Sequence, residues 1–335
     1  MTSYLTRRLL LIIPTVFFAL SFLFFLFFTL PGDPVNLIAG GGNRNIDPGV
    51  LERIEERYGF DDPLPVQFVN YWKRTVSWDL GDSYLNRRSV NELLGDRAVN
   101  SLRLGIWAVL IEVVVGISVG LVSAIRRYSI ADRVTTIVTA GASALPVFVL
   151  GYILQFGLAV YPNQHDWPDW ARLRTSGLGP DSWSFFFIPT GEQWRYLVLP
   201  AFALASVSTA LAARMTRGSM LEVMGADYMR TARAKGLAER TVVARHGLRN
   251  AMLPVITLIG IDFGTIIGAA VLTETVFNWP GLGSTIAGSV VERDLPVTLG
   301  LTLVVVLVYS FINLIVDLSY AWFDPRIRLG GGRTS

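Results

Sequence analysis

The sequence contains no cysteine and only two histidines, His165 and His246. Without cysteine, the chain cannot form a disulfide framework, a thiolate metal site or a cysteine nucleophile. Neither histidine belongs to a helical HExxH motif, so a zinc protease site is unsupported. The sequence also lacks a Walker phosphate-binding loop. We therefore expect no enzymatic activity in this chain by itself and no metal or cofactor bound to it.

The chain also has few charged residues. Only 16% of its 335 residues are charged, whereas soluble domains have about 25%. Hydrophobic residues make up 52% of the sequence, which is typical of a membrane protein. The formal net charge is only +3, and basic residues are concentrated only in the loops described below. We therefore expect no nucleic-acid partner.

Six apolar runs are long enough to cross a hydrocarbon core of about 30 Å as helices. These spans are residues 9–30, 104–125, 134–161, 197–213, 255–276 and 297–322. No small-residue cleavage pattern follows the first run, so we interpret it as a retained span. Because unpaired backbone groups are too costly in lipid, each run must be helical. The sequence thus predicts an all-α integral membrane protein.

Arginine and lysine are distributed unequally between the two sides of the membrane. The side that holds both termini and the segment 214–249 carries sixteen basic and five acidic residues. The opposite side carries thirteen basic and seventeen acidic residues. Because positive side chains accumulate on the cytoplasmic side, we expect both termini and this segment in the cytoplasm.

The segment 31–101, between the first and second spans, is too long to be a turn. Asp47 and Pro48 form a typical helix start, and Leu51 and Ile54 then fall on one helical face. Further along, apolar and aromatic side chains need something to pack against, namely Phe60, Leu64, Phe68, Tyr71, Trp72 and Trp78. We therefore predict a small folded extracytoplasmic cap rather than a disordered loop.

Glycines recur at four-residue spacing in two spans. Gly116 and Gly120 lie in the second span, and Gly260, Gly264 and Gly268 lie in the fifth. Small residues at this period let helix backbones approach closely, which favours helix association in lipid. The pattern predicts a packed bundle.

Two carboxylates lie inside apolar runs. Asp262 is about two turns from the cytoplasmic end of the fifth span, and Glu112 is near the middle of the second. An ionisable group at this depth marks a pathway or an internal pair, since exposure to lipid is costly. Asp262 is therefore a candidate pathway residue or a partner in a helix–helix hydrogen bond. Glu112 has the same two interpretations, with structural pairing favoured.

A basic segment, residues 214–254, joins the fourth and fifth spans. Gly236 and Gly247 each suit the end of a helical turn, so the segment is predicted to form a helix, a turn and a second helix. A loop that follows the positive-inside rule explains the charge. It does not explain Ala232 and Ala234 beside Gly236, because small side chains on a protruding helix favour docking into a groove on a partner.

Several sequence blocks carry a resemblance to a known family. The segment DYMRTARAKGLAERTVVARHGLRNAMLPVI, residues 227–256, resembles the cytoplasmic coupling loop of binding-protein-dependent ABC importer permeases in the dipeptide and oligopeptide branch. Other blocks that match this branch are LPGDP (30–34), YGFDDPLPVQF (58–68), WDLGDS (78–83), ETVFNWPGLG (274–283), ERDLPV (292–297) and DLSYAWFDPRIR (317–328). The resemblance runs from the N-terminus to the tail.

Two features depart from the general importer pattern. Arg230, Thr231 and Ala232 occupy the positions of its Glu-Ala-Ala. The interval from Gly236 to the Leu-Pro pair at 253–254 is also longer, a feature that the peptide branch shares. These departures favour the peptide branch over sugar or phosphate permeases.

The resemblance implies a six-span type I ABC importer transmembrane domain. It divides the chain into a tail with span 1, the cap, a five-span core that contains the coupling loop 214–254, and a cytoplasmic tail, at residues 1–30, 31–101, 102–322 and 323–335. The implied partners are a second, similar permease subunit, two ATPase subunits and an extracytoplasmic solute-binding protein, in the cytoplasmic membrane of a bacterium. ATP and magnesium would bind to the ATPase subunits.

The resemblance also implies candidate site residues. The ATPase-coupling residues would be Asp227, Tyr228, Arg230, Thr231, Ala232, Arg233, Ala234, Lys235 and Gly236. The block ETVFNWPGLG suggests contact with the solute-binding protein through Glu274 and two exposed aromatic anchors, Phe277 and Trp279. The competing interpretation of these aromatic residues is an interfacial aromatic belt.

Two questions stay open from the sequence. A carrier that is driven by an ion gradient and acts without ATPase partners is the alternative function. The expected substrate is a peptide, but similar permeases carry nickel, opines or haem, so the exact solute is undetermined.

Overall fold

A computed structural model describes residues 2–29, 35, 39, 48–180 and 182–323 of the chain. The block LPGDP, the predicted N-cap Asp47 and the tail 324–335 lie outside these residues. The helices are α1 Thr2–Thr29, α2 Pro48–Tyr58, α3 Leu64–Val76, α4 Val90–Ile111, α5 Ile117–Ile125, α6 Ile130–Ala144, α7 Val147–Gln155, α8 Tyr161–Gln164, α9 Gln193–Met224, α10 Asp227–Ala234, α11 Glu239–Thr241, α12 Arg249–Val276, α13 Leu282–Glu292 and α14 Leu295–Phe323.

Shorter elements connect some of these helices. The π-helical turns are Glu112–Gly116, Phe156–Val160 and Val242–Leu248, and Asp169–Ala171 is a 3₁₀ turn. Two strands, β1 Trp183–Ser184 and β2 Ile188–Pro189, pair antiparallel in a small hairpin before α9. The described chain is thus mostly helical, as the sequence predicts.

Within the described residues, four helical segments are long and apolar enough to cross a membrane, and the total is six if each of two bent helix pairs forms one span. The four are Arg8–Phe27, Val90–Ile125, Gln193–Met224 and Leu295–Ile315. The helical pair that begins with α6 and α7 is bent by 113° at the break between them. Leu145 adopts an extended conformation there, with ψ of 135°, because the proline that follows disfavours helical geometry in the residue before it.

The fourth span is longer than its apolar run. The sequence predicts residues 197–213, whereas α9 continues through Arg214 and Arg217 to Met224. Arg214 Nη1 donates to the Thr139 carbonyl oxygen at 3.1 Å, and Arg217 forms an ion pair described below. The arginine side chains therefore have partners on the bundle, and their charge does not end the helix.

The chain divides into two compact units. One unit comprises residues 100–280 and 312–335, and α9 is its central helix, in contact with α5, α6, α7 and α12. Its largest cluster is made of small and branched residues with one aromatic residue: Leu104, Ala108, Leu197, Ala201, Leu204, Ala205, Ile266, Ala270 and Trp279. Alanine at many of these positions brings the helices close together.

The other unit comprises residues 1–99 and 281–311. Phe68, Tyr71 and Trp72 of the predicted cap pack within it, and Phe24 of α1 stacks on Tyr71 with ring centroids 5.4 Å apart. Trp78, in contrast, is 50% exposed. The Asp294 carboxylate accepts bonds from the Ser83 hydroxyl and, at 3.2 Å, from the Tyr84 backbone N–H. The blocks WDLGDS and ERDLPV, which are more than 200 residues apart, are therefore joined by a buried polar contact.

Two glycines of the second span allow the closest helix approach in the central bundle. A Cβ on Gly116 would lie 2.8 Å from Ala212 Cβ, and a Cβ on Gly120 would lie 2.7 Å from Thr216 Cβ and collide with the Ala213 carbonyl oxygen. A Cβ on Gly268 of the fifth span would meet nothing within 4 Å. Close packing within this chain is therefore shown for Gly116 and Gly120, whereas helix packing at Gly268 stays a prediction.

We expect Gly120→Ala to destabilise the bundle. The new methyl group would force α5 away from α9, and overpacking of this kind costs about 1–3 kcal/mol. The measurement is the thermal melting temperature of the purified protein in detergent. Gly218→Ala in α9 is the matched control, because a Cβ there would meet nothing within 4 Å. A Gly120 variant as stable as the Gly218 variant would contradict the packing.

Candidate functional site

Helix α10 forms where the sequence predicts a coupling helix. It begins after Ala226, which is extended with φ −72° and ψ 150°, and it ends at Ala234, with Lys235 as its C-cap. Gly236 follows with φ +76°, in the left-handed region that glycine adopts without strain. The helix and the glycine that follows it therefore both lie within residues 227–236, where the sequence predicts them.

One face of α10 packs against its own chain. Met229 and Ala232 are buried and form a cluster with Val242, with Val223 and Met224 beside them. Ala232 is only 7% exposed, so its predicted place on a partner surface is wrong. Its small size instead allows α10 to fold back on the turn that follows.

The other face of α10 is exposed. It comprises the remaining predicted coupling residues other than Arg233: Asp227, Tyr228, Arg230, Thr231, Ala234, Lys235 and Gly236. Within α10, Ala234 is the residue of this face that has a small side chain and is exposed. The exposed face is therefore compact and mostly polar, with Tyr228 as its one large aromatic side chain.

Arg233 lies at the edge between the two faces. Its Nε donates to Glu239 Oε2 at 3.1 Å and its Nη2 donates to Glu239 Oε1 at 2.9 Å. Glu239 thereby raises the pKa of the Arg233 guanidinium above its usual value. Arg233, one of the predicted coupling residues, thus forms an internal pair that links α10 to α11.

A second polar cluster, the Asp132 cluster, ties the loop between α5 and α6 to α9. Arg217 donates to Asp132 from Nε at 2.7 Å and from Nη2 at 3.0 Å. The same carboxylate accepts from the Ser123 hydroxyl at 2.5 Å and from the Tyr128 N–H at 2.9 Å. The Ser129 hydroxyl caps α6 by accepting from the Asp132 N–H at 3.3 Å.

Sequence reasoning missed the Asp132 cluster. Its local signal is serine followed three residues later by aspartate just before an apolar run, a typical helix N-terminus. Nothing local indicates the partner, because Arg217 lies 85 residues further along the chain. The cluster is on the half of α9 that leads to α10, so it belongs to the same region as the predicted coupling site.

Comparisons with known proteins agree in one family. The family model for the "Binding-protein-dependent transport system inner membrane component" matches residues 116–329, and its N-terminal companion matches residues 1–105. The "Glutathione transport system permease protein GsiC" of Escherichia coli O6:H1 is 38% identical over 328 residues, covering 98% of this chain and 99% of the relative. The proteins of the same name from Escherichia coli strain K12 and Shigella dysenteriae serotype 1 are 37% identical over the same lengths.

This chain belongs to that family of inner-membrane transport components. A solved structure, "Crystal structure of an amino acid ABC transporter with histidines", matches with a TM-score of 0.50 and 14% identity, covering 69% of this chain and 94% of the other. This likeness shows the type I ABC importer fold. The chain is thus a permease subunit of an ATP-driven importer and not an enzyme, which confirms the prediction over that of an ion-gradient carrier.

The predicted contact residues in the block ETVFNWPGLG of the permease are buried. Glu274 and Trp279 are fully buried and Phe277 is 2% exposed. Trp279 Nε1 donates to the Asn100 carbonyl oxygen at 3.1 Å, and Ser101 Oγ donates to Glu274 Oε1 at 2.5 Å. The prediction of exposed anchors is therefore wrong, as is the alternative of an aromatic belt, because the block closes the end of α12 onto α4.

The two intramembrane carboxylates differ in their surroundings. Glu112, in the π-helical turn before Gly116, is 0% exposed, and neither carboxylate oxygen has a hydrogen-bond partner among the described residues. Thr265 Oγ1 donates to Asp262 Oδ1 at 3.1 Å, within α12, while Oδ2 is buried without a partner in the described chain. The two groups interact electrostatically. Neither forms the predicted helix–helix hydrogen bond in the described residues.

A separate cavity of about 240 Å³ lies in the unit formed by residues 1–99 and 281–311. Its lining includes Tyr71, Arg74 and Asp79. Burial raises the pKa of Tyr71 to about 12, and the Arg74 side chain holds the pKa of Asp79 below its usual value. The cavity is smaller than the roughly 300–1,000 Å³ of ligand pockets, and none of the predicted site residues lines it.

Proposed function

We propose that this permease imports short peptides or glutathione-like solutes, with α10 as its coupling helix. It forms half of the pathway beside a second permease subunit, takes its solute from a binding protein, and is driven by two ATPase subunits that bind ATP and magnesium. The observation that supports the solute class is the identity of 38%, over nearly the whole chain, to a permease named for glutathione transport. The loop charges support cytoplasmic termini.

The contacts around α10 support a mechanical role for this helix. The Met229–Val242 packing and the Arg233–Glu239 pair join α10 to the following turn, so that the two move together. The Asp132–Arg217 pair joins α9 to the first turn of α6, and the Tyr128 N–H joins the preceding loop to the same carboxylate. A displacement of α10 by an ATPase subunit therefore passes to the spans on both sides. By linkage, solute delivery at the opposite end favours the same state of the ATPase.

The carboxylates Glu112 and Asp262 are proposed to line the pathway when it opens. A buried ionisable group without a partner is costly in a membrane, and such groups mark solute or ion paths. Glu112 also lies in a π-helical turn, a feature that occurs frequently at functional sites. Opening of the bundle would give these carboxylates access to the solute and to water.

For Glu112→Leu we expect opposite effects on stability and transport. Removal of a buried group that lacks partners should stabilise the protein by about 1–3 kcal/mol. The rate of transport should fall by more than about tenfold, which corresponds to a loss of about 1.4 kcal/mol in interaction free energy along the pathway. The two measurements are the melting temperature and ATP-dependent uptake into proteoliposomes. Val113→Leu, in the same turn, is the control, and full transport by Glu112→Leu would exclude a pathway role.

The proposed function is tested by copurification and uptake. A tagged permease should bring ATPase chains and a second permease with it from the membrane. The reconstituted assembly with its binding protein should take up radiolabelled glutathione with ATP and not with ADP. Isolation of the permease without ATPase chains would contradict the assembly, whereas ATP-driven uptake of nickel or haem but not glutathione would contradict the solute class alone.

A further inference from the structure

The hairpin of β1 and β2 presents three consecutive phenylalanines at its tip. Trp183 pairs with Pro189 and Ser184 pairs with Ile188, which leaves residues 185–187 as the turn. Phe185 is 83% exposed, and Phe186 and Phe187 are also exposed. Phe185 and Phe186 have φ of 46° and 62°, a left-handed backbone that bulky residues rarely adopt. The fold holds these apolar rings outward at a conformational cost.

The backbone carbonyl groups of this tip are all hydrogen-bonded inside the chain. Phe187 N–H donates to the Phe185 oxygen at 2.6 Å. Arg103 Nε donates to the Phe186 oxygen at 2.7 Å, and Trp107 Nε1 donates to the Phe187 oxygen at 2.8 Å. A turn in water can bond to solvent instead. A non-helical segment in contact with lipid needs its carbonyl groups to be hydrogen-bonded within the protein, because lipid tails offer no donors.

Arg103 and Trp107, which donate hydrogen bonds to the tip, place it at one end of the apolar bundle. Trp107 lies in the second span, and its ring meets Trp194 edge-on with centroids 4.6 Å apart. Trp194, Val198 and Phe202 form an exposed apolar stripe at four-residue spacing along the first half of α9. The tip therefore continues the apolar surface of a membrane span, at the end of α9 that is far from α10.

A cationic group accompanies the tip. The Arg103 guanidinium lies 4.3 Å from the ring centroid of Trp183 and 5.5 Å from that of Phe186. Arginine beside aromatic rings at the edge of an apolar surface suits the lipid headgroup region, where phosphate groups carry negative charge. Phenylalanine is also one of the residues with which proteins insert into the boundary between headgroups and acyl chains, and the tip consists of three of them.

We propose that residues 185–187 insert into the membrane interface and anchor the hairpin to lipid, with Arg103 facing the phosphate groups. The anchor fixes the loop before α9 relative to the bilayer while the rest of the bundle moves. It depends on the membrane location that the family establishes and not on the proposed solute.

The absence of cysteine makes the proposal directly testable. Phe185→Cys carries a nitroxide label in the complete transporter, reconstituted in phosphatidylethanolamine and phosphatidylglycerol vesicles. Collision rates with oxygen and with a water-soluble nickel chelate give its depth. Ile137→Cys, on an exposed position of α6, is the lipid reference, and Asp96→Cys, two turns before Arg103 on α4, is the water reference.

We expect the ratio of oxygen to nickel collisions at residue 185 to exceed that at residue 96 severalfold and to approach that at residue 137. Adding Arg103→Gln, which frees the Phe186 carbonyl and removes the cation, should lower the ratio towards the water reference. A ratio equal to that at residue 96 would overturn the proposal. A label shielded from both reagents would overturn it as well, because the tip would then be covered by another subunit or by the binding protein.

Discussion

Ala234→Trp should abolish transport while leaving the permease folded and the ATPase subunits intact. Ala234 is the exposed small residue of α10, and a tryptophan there would fill the space that a close-packed partner needs. Overpacking costs about 1–3 kcal/mol, and each 1.4 kcal/mol lowers the affinity of the permease for its partner about tenfold. Uptake into proteoliposomes should therefore fall at least tenfold, with no change in the melting temperature of the isolated permease.

Ala244→Trp is the matched control for this substitution. Ala244 is also exposed and lies in the same basic segment, but it belongs to the turn that leads into α12 rather than to α10. We expect the control to retain most of its transport. Equal loss in both variants would show general disturbance of the loop, and wild-type transport by Ala234→Trp would exclude the proposed docking face.

Asp132→Asn should uncouple ATP hydrolysis from transport. The substitution keeps one oxygen, which can accept from Ser123, but it replaces the oxygen that accepts from the Tyr128 N–H with an NH2 group and removes the charge that pairs with Arg217. Movement of α9 would then no longer carry the loop between the second and third spans. We expect uptake to fall severely while basal ATP hydrolysis persists and no longer responds to the loaded binding protein.

The control for Asp132→Asn is Glu222→Gln, which neutralises an exposed carboxylate on α9. This variant should keep both uptake and the response of the ATPase. The Asp132→Asn and Arg217→Gln double variant should be no worse than the more severe single variant, because both substitutions remove the same interaction. Independent, additive losses would contradict the role of the pair.

Local patterns predicted much of the fold. Apolar run length predicted the spans, and the glycine at position 236 predicted the end of α10, because φ of +76° is a local backbone requirement. The break before Pro146 likewise follows from covalent geometry. These features depend only on residues that are close together in the sequence.

The faces of helices and the long-range pairs could not be predicted in this way. Ala232 and Ala234 are two residues apart, yet one is buried and the other exposed, which depends on where Val242 folds back. Trp279 is as suited to a surface as to a core, and its burial depends on α4, about 180 residues earlier. Such outcomes are set by tertiary packing, which a single sequence does not display.

The docking of α10 on an ATPase subunit is tested most directly by site-specific photo-crosslinking. A photoreactive phenylalanine at position 234 is activated in the purified, ATP-hydrolysing assembly, with position 244 as the reference. We expect an ATPase adduct from position 234, identified by mass spectrometry, and much less from position 244. An active assembly in which position 234 reacts with no ATPase chain would contradict this docking.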